Sequence, residues 1–295
     1  MSRIEALVCR DVGRRTQEMI EASRGDLAAA ARSLAGASSV GLITGFFVPR
    51  GDVAAPETDG PVGTALLAAA LAACGVPARI AVDTPCADAV RVAIDAAGGG
   101  VAVDEVGVDD PAGIERVSAT WTEARVSHGI AIERCGRSAD GRPRNMRAVD
   151  VSPWTAPLDD LFLAGRWTRL AVGDGGNEIG MGKLPAGLIG RSVENGERIA
   201  STTSCDHLIV AGVSNWGAYG LMAALAVLRP DWSPIIARFL SAERDLFVTR
   251  AVVDGAGAVD GVSARREATV DGFGAEIHGA LIDDLRRVAW GDAAD

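Results

Sequence analysis

Short apolar runs alternate with longer helical segments along most of this 295-residue chain, and this alternation restricts the fold more than any other feature. Short apolar runs are typical of strands buried on both faces, and neighbouring parallel strands must be joined by a crossover helix. The runs lie at residues 40–45, 78–82, 101–106, 129–132, 170–172 and 208–211. We therefore expect an α/β fold, with residues 1–295 forming a single domain: a mostly parallel twisted sheet with helices on both faces, in three layers.

The remaining segments give further predictions. The pattern favours helices over residues 3–35, with a break near Gly13 or Gly25, over 235–252 and over 277–289. Residues 49–60 are expected to form a long polar-edged loop. A helix that is apolar on every side begins after it at Pro61, and a helix of that kind is buried. Asp59 is suited to be its N-cap or first-turn acid.

Composition excludes several classes of function. The net charge of −10 and the pI of about 4.9 oppose binding to nucleic acid or to an anionic membrane, and only 4% of residues are aromatic. The five cysteines include no C-x-x-C pair, which indicates free thiols in a reducing compartment. We expect a cytoplasmic protein with a small-molecule substrate and with no nucleic-acid or membrane partner. Assembly into a homo-oligomer is left open.

A glycine-rich decapeptide, GDGGNEIGMG at residues 173–182, follows the apolar run at 170–172. Asp174, Asn177 and Glu178 lie among its five glycines. Glycine costs backbone entropy and contributes no packing, so this density indicates a sharp turn or a backbone that approaches a ligand. A loop that merely needs positive φ angles is the simpler alternative. Carboxylate and amide groups between the glycines favour a polar site.

Other unusual polar residues also follow predicted strands. Ligands bind beyond the carboxyl ends of the strands of a parallel sheet, so we expect these segments to lie at one edge. Each has a simpler interpretation: Ser214 and Asn215 as N-caps of the next helix, and Glu133 with Arg134 as a surface ion pair. The segments carry Thr44 and Gly45, Glu133 and Arg134, Gly173 to Glu178, and Gly212, Ser214 and Asn215.

Several motifs, in order, resemble the D-glutamate cyclase family over nearly the whole chain. They are GFFVP at 45–49, ETDGPVG at 57–63, ERCGR at 133–137, NMR at 145–147, the decapeptide at 173–182, SNWG at 214–217 and VDG at 259–261. The resemblance implies a hydro-lyase that converts D-glutamate to 5-oxo-D-proline and water. In that reaction the amine attacks the γ-carboxylate of the same molecule.

That reaction suggests roles for the unusual residues. Asp174 or Glu178 would be the base and the acid, and Gly175, Gly176 and Asn177 would bind the oxyanion or the γ-carboxylate. Arg134 or Arg147 would hold the α-carboxylate, and Asp59 or Glu57 the ammonium. The substrate-binding set is Glu57, Thr58, Asp59, Gly60, Glu133, Arg134, Asn145, Arg147, Gly175, Gly176, Ser214 and Asn215.

A metal ion is a competing use of the same acids. Asp59, Asp174 and Glu178 offer oxygen ligands suited to Mg²⁺ or Mn²⁺, although nothing in the sequence requires a cofactor. Two other functions remain open because a fold does not determine a function. One is a non-catalytic sensor of amino acids or nucleotides, and the other is a metal-dependent hydrolase of a related small substrate.

Overall fold

The computed structural model describes residues 1–50, 53–110 and 112–291. Its strands, in chain order, are β1 (Val40–Ile43), β2 (Phe47–Arg50), β3 (Val53–Pro56), β4 (Ala78–Asp83), β5 (Ala102–Val106), β6 (His128–Ile132), β7 (Thr168–Gly173) and β8 (His207–Val210). All six predicted strands are confirmed, within two residues at their ends, because each is an apolar run bounded by polar or glycine residues.

The main sheet has the strand order β5-β4-β1-β6-β7-β8, and all of its pairs are parallel. The chain builds outward from β1 through β4 to β5, and then returns to the other side of β1 to add β6, β7 and β8. Val40 at the start of β1 therefore pairs with Ala78 on one side and His128 on the other. The order reverses between β1 and β6, and such a switch point leaves a crevice beyond the strands' carboxyl ends.

The helices cover both faces of the sheet, as expected for three layers. They are α1 (Ser2–Val8), α2 (Gln17–Ala22), α3 (Asp26–Leu34), α4 (Pro61–Ala73), α5 (Thr84–Ala97), α6 (Gly113–Glu123), α7 (Leu158–Ala164), α8 (Leu188–Ser192), α9 (Gly196–Ile199), α10 (Ser214–Leu228), α11 (Ser233–Ile236), α12 (Ala242–Ala256) and α13 (Ala275–Trp290). None of the helices in the described ranges is long and apolar enough to cross a membrane.

Alternate residues of the central strands belong to different cores. Leu42 and Ile130 pack in the largest cluster, which includes residues of α1, α3, α4, α5, α10, α12 and α13. Their neighbours Ile43 and Ala131 pack with α6 and α7 in a second cluster. A third cluster joins Ala171 to residues of α2, α8 and α9. The period of two along each strand thus produces the layers.

Two predictions about local structure need correction, and a third, the break in the N-terminal segment, is confirmed at both of its expected positions. The helix expected over 235–252 is two helices, α11 and α12, because Ser241 caps α12 by accepting a hydrogen bond from the Arg244 N–H. The N-terminal segment is broken at both Gly13 and Gly25, and Gly25 has φ +91°. The loop expected over 49–60 contains β3 and the last residues of β2, which pair as an antiparallel hairpin. Gly51 and Asp52 of the expected loop lie outside the described residues.

Gly41 provides a test of the packing between β1 and α6. A Cβ at Gly41 would lie 2.5 Å from the Trp121 ring, which is held in place by a 2.9 Å hydrogen bond from its indole N–H to Asp104. We expect Gly41→Ala to lower the free energy of unfolding by about 1–3 kcal/mol, the usual cost of overpacking a core. Urea denaturation measures the change.

The matched control is Gly36→Ala. Gly36 is exposed, and a Cβ there would meet a backbone oxygen at an ordinary 3.6 Å. This variant should change stability by no more than about 0.5 kcal/mol. Equal stability of the Gly41 and Gly36 variants would show that the Trp121 contact is not tight.

Candidate active site

A cavity of about 480 Å³ opens beyond the carboxyl ends of β6 and β7. This volume is within the usual range for small-molecule sites. Six of the residues singled out from the sequence line it: Glu57, Glu133, Asn145, Arg147, Asp174 and Asn177. The structure therefore confirms that residues following different strands converge at one edge of the sheet.

Two buried helices begin beside this cavity and cap each other. Asp59, just before α4, accepts hydrogen bonds from the N–H groups of Ser214 (2.9 Å) and Asn215 (2.8 Å) in α10. Asn215 in turn accepts from the N–H groups of Gly60 (3.0 Å) and Gly63 (2.8 Å) at the start of α4. Gly63 makes this possible, because a Cβ there would lie 2.7 Å from the Asn215 oxygen.

This exchange changes the interpretation of several predicted residues. Asp59 caps α10 instead of α4, and Asn215 caps α4 instead of its own helix. Gly60, with φ +92°, makes the turn into α4. Thr58 donates its hydroxyl to the Thr269 carbonyl at 2.8 Å and is fully buried. These residues shape the cavity, and none of them is among the described residues that line it.

Asp59, Glu133 and Asp174 form a buried acidic triad. One carboxylate oxygen of each lies within 4.8 Å of the other two. Glu133 has φ +43°, a left-handed conformation that is unusual for a residue with a side chain and is typical of functional sites. The Ser214 hydroxyl donates to Glu133 at 2.6 Å. Glu133 is therefore not part of a surface ion pair.

The charges of this group are poorly compensated. Two carboxylates at 4.8 Å repel each other by roughly 3–4 kcal/mol at an effective dielectric constant of about 20. Burial, together with neighbouring carboxylates, raises the pKa of Asp59, Glu133 and Asp174 well above their ordinary values. Burial and Asp271 raise the pKa of Glu57 in the same way. The site is thus suited to a ligand that brings positive charge or protons.

Arg14 is a site residue that the sequence did not reveal. Its guanidinium forms ion pairs with Asp174 (2.6 Å) and Asp271 (2.8 Å). Burial disfavours its charge, but Asp174 and Asp271 outweigh that effect and raise the pKa of Arg14. The Asp11 carboxylate positions this loop by accepting hydrogen bonds from the N–H groups of Gly13, Arg14 and Arg15. The break predicted near Gly13 is the sequence feature that indicates a loop at this position.

Asp271 closes the cavity from the C-terminal side and was also missed. It belongs to a glycine- and aspartate-rich segment organised by the fully buried Asp260, which accepts hydrogen bonds from the N–H groups of Val262, Ser263 and Gly272. Burial disfavours ionisation of Asp260, but these N–H groups outweigh it and lower its pKa. A bridge between Glu57 and Val259 joins this segment to the site.

Glu178 organises the glycine-rich loop instead of facing the cavity. Its carboxylate accepts hydrogen bonds from the N–H groups of Asp174 (2.8 Å), Gly175 (2.6 Å) and Gly176 (2.7 Å). Those N–H groups are therefore committed within the protein and do not form the expected oxyanion hole. The geometry also does not support Glu178 as an acid, a base or a metal ligand. Glu133 takes its place beside Asp59 and Asp174.

Arg134 is a structural cation below the cavity. It is fully buried, lies 2.5 Å from Asp83, and donates to the carbonyl oxygens of Gly45 (2.8 Å) and Ala156 (2.7 Å). Burial disfavours its charge, but Asp83 outweighs that effect and raises the pKa of Arg134. It links the end of β6 to the ends of β1 and β4. Its position does not support the expected contact with a substrate carboxylate.

The mouth of the cavity carries amide and guanidinium groups. Asn145 accepts hydrogen bonds from the N–H groups of Arg147 and Val149, which shapes a turn that presents the exposed Arg147 to the opening. Asn177 donates to the Arg144 carbonyl at 2.8 Å and ties the glycine-rich loop to this turn. Arg147 therefore remains a candidate for binding a substrate carboxylate, and Arg14 and Arg15 join it.

Comparison with known proteins identifies relatives of this chain. A family model described as "D-glutamate cyclase-like, C-terminal" matches residues 4–286. A human protein, "D-glutamate cyclase, mitochondrial", is 36% identical over 216 residues. That match covers 69% of this chain and 35% of the human protein, so the chain corresponds to about a third of its relative's length.

The role given to Glu178 can be tested by Glu178→Gln. The amide removes the charge and directs an NH₂ group at backbone donors, so buried N–H groups lose their partner. We expect the free energy of unfolding to fall by about 2–3 kcal/mol, measured by urea denaturation. Glu194→Gln is the matched control, because Glu194 is an exposed residue at the same cavity. A Glu178 variant as stable as this control would contradict the structural role.

Proposed function

We propose a function for this chain from the premise that it belongs to the D-glutamate cyclase-like family, whose model it matches over residues 4–286. The proposed activity is that of a hydro-lyase, which converts D-glutamate to 5-oxo-D-proline and water. The human relative carries the name of this activity, and the two chains share 36% identity over 216 residues. The family and this relative support an enzyme of the lyase type.

One observation supports this reaction most directly. The same cavity brings buried carboxylates, Glu57, Glu133 and Asp174, together with the guanidinium groups of Arg14 and Arg147. An acidic amino acid carries one ammonium and two carboxylates. Carboxylates can bind the ammonium and accept its proton, and guanidinium groups can hold a carboxylate through paired hydrogen bonds.

The proton balance of the reaction is suited to a carboxylate pocket. The ammonium of glutamate has three hydrogens, and the lactam nitrogen of 5-oxoproline keeps one. The other two leave with one γ-carboxylate oxygen as water. A carboxylate near both the amine and the γ-carboxylate can therefore accept a proton from the amine and return it to the departing oxygen. No net proton enters or leaves the cavity.

We assign the ammonium to Glu57 and the reacting γ-carboxylate to the side of the cavity formed by Glu133 and Asp174. Glu57 is 6% exposed, and its Oε1 has no hydrogen-bond partner among the described residues. The α-carboxylate then lies toward the mouth, with Arg147. Holding the chain of glutamate so that nitrogen and carbon meet can contribute up to about 7–11 kcal/mol toward the barrier in well-oriented cases.

The reaction is tested by incubating the purified chain with D-glutamate, with L-glutamate and with 5-oxo-D-proline, followed by chiral chromatography. We expect 5-oxo-D-proline to form from D-glutamate. Glu57→Gln should lower turnover by about 10²–10⁴-fold, the usual contribution of a positioned proton-transfer group, and Asp174→Asn, which changes the side of the cavity facing the γ-carboxylate, should lower turnover as well. Both variants should remain folded by circular dichroism.

Two outcomes would contradict this proposal. Saturable binding of D-glutamate in calorimetry without any product would favour a sensor. Near-normal cyclisation by the Asp174 and Glu57 variants would overturn the placement of the reacting groups.

The α-carboxylate contact is tested by Arg147→Ala. Loss of a charged hydrogen-bonding group costs about 1.5–3 kcal/mol, so KM should rise by about 10–100-fold with a smaller change in kcat. Arg142→Ala is the matched control, because Arg142 is in the same turn-rich segment, is exposed, and is not among the described residues that line the cavity. An unchanged KM for the Arg147 variant would remove this residue from the binding site.

A further inference from the structure

The charge of the cavity conflicts with the charge of the proposed substrate. Glu57, Glu133, Asp174 and Asp271 line it, Asp59 completes the acidic triad, and Arg14 forms ion pairs with Asp174 and Asp271. D-Glutamate has a net charge of −1. Its γ-carboxylate must also approach Asp174 and Glu133. Positive charge or protons that enter with the substrate would offset this repulsion.

The acidic triad is arranged to hold that charge. One oxygen each of Asp59, Glu133 and Asp174 lies within 4.8 Å of the others, so the three converge on a common point. They come from three separate segments of the chain, which precede α4, follow β6 and follow β7. The mutual caps, the turn at Glu133 and the glycine-rich loop hold those segments independently. The convergence is a product of the fold.

A separate observation also indicates a positively charged ligand. Glu57 lines the same cavity and is more than nine-tenths buried, yet its Oε1 has no hydrogen-bond partner in the described ranges. A buried carboxylate oxygen without a donor is costly unless a ligand supplies one. The substrate ammonium, which is assigned to Glu57, cannot also neutralise the triad, in which Asp174 is the member that pairs with Arg14.

We propose that Asp59, Glu133 and Asp174 bind a divalent cation, Mg²⁺ or Mn²⁺, beside the space for the substrate's γ-carboxylate. A site of three carboxylates without a nitrogen or sulfur ligand is typical of a hard cation. Such a site leaves coordination positions for water and for a substrate oxygen. The binding site follows from the geometry, whereas its role toward the γ-carboxylate rests on the proposed function. Such a cation neutralises that carboxylate and makes its carbon a better electrophile.

Calorimetric titration of the chelator-treated full chain with Mn²⁺ tests the site without any turnover. We expect saturable binding of one ion per chain. Glu133→Gln and Asp174→Asn should weaken this binding by about 10–100-fold or more, the range produced by changing even a group that only supports a metal ligand. Asp59 is left intact because it also caps α10. Thermal unfolding in parallel shows whether each variant is folded.

Glu194→Gln is the matched control, since it makes the same chemical change at the same cavity, outside the triad. It should bind Mn²⁺ as the parent chain does. Equal binding by the triad variants and this control would mean an adventitious ion only, and would overturn the proposal. Absence of saturable binding at millimolar Mn²⁺ would overturn it as well.

Failure of this proposal can be distinguished from failure of the proposed function. If D-glutamate is cyclised at an unchanged rate after chelation, the cation site is wrong and the activity stands. If Mn²⁺ binds through the triad but no 5-oxo-D-proline forms, the cation site stands and the activity is wrong. Loss of cyclisation in EDTA, restored by Mn²⁺ or Mg²⁺, would support both.

Discussion

The exchange of caps between Asp59 and Asn215 is the interaction on which the site depends. Helices α4 and α10 are buried along most of their lengths, so water cannot satisfy the N–H groups of their first turns. Each helix begins beside a side chain that belongs to the other. This arrangement aligns the two helix N-termini and places Asp59 against Glu133 and Asp174. Loss of either cap would disturb the triad as well as the helices.

Three loops around the cavity are organised in the same way, by a carboxylate that accepts several backbone hydrogen bonds. Asp11 shapes the loop that carries Arg14, Glu178 shapes the glycine-rich loop, and Asp260 shapes the segment that ends near Asp271. In each case the hydrogen bonds from backbone N–H groups fix the shape of the loop around the carboxylate. The acids that line the cavity are instead Glu57, Glu133, Asp174 and Asp271. This difference in backbone hydrogen bonding explains why acids close in sequence have different roles.

Much of the fold could be predicted because apolar runs and glycine positions are local signals. The six strands, the sheet edge that carries the site, and the buried helix at Pro61 all follow from such signals. Arg14 and Asp271 could not be found this way, because nothing near them in the sequence indicates that they meet. The sequence suggests a substrate contact for Arg134 and acid–base catalysis for Glu178 because it does not show their partners. Those partners, Asp83 and the backbone of the glycine-rich loop, are brought to them by the folded chain.

The sequence by itself determined the fold class, the edge of the sheet where polar residues gather, and, by resemblance, the family. Hydrophobic periodicity and glycines at strand ends contain that information, because each can be recognised within a few consecutive residues. Only the tertiary structure decided which acids lie free in the cavity and which are held by backbone. That choice depends on the positions of N–H groups from distant segments. Asp59 is the clearest case, because its partners lie 155 and 156 residues further along the chain.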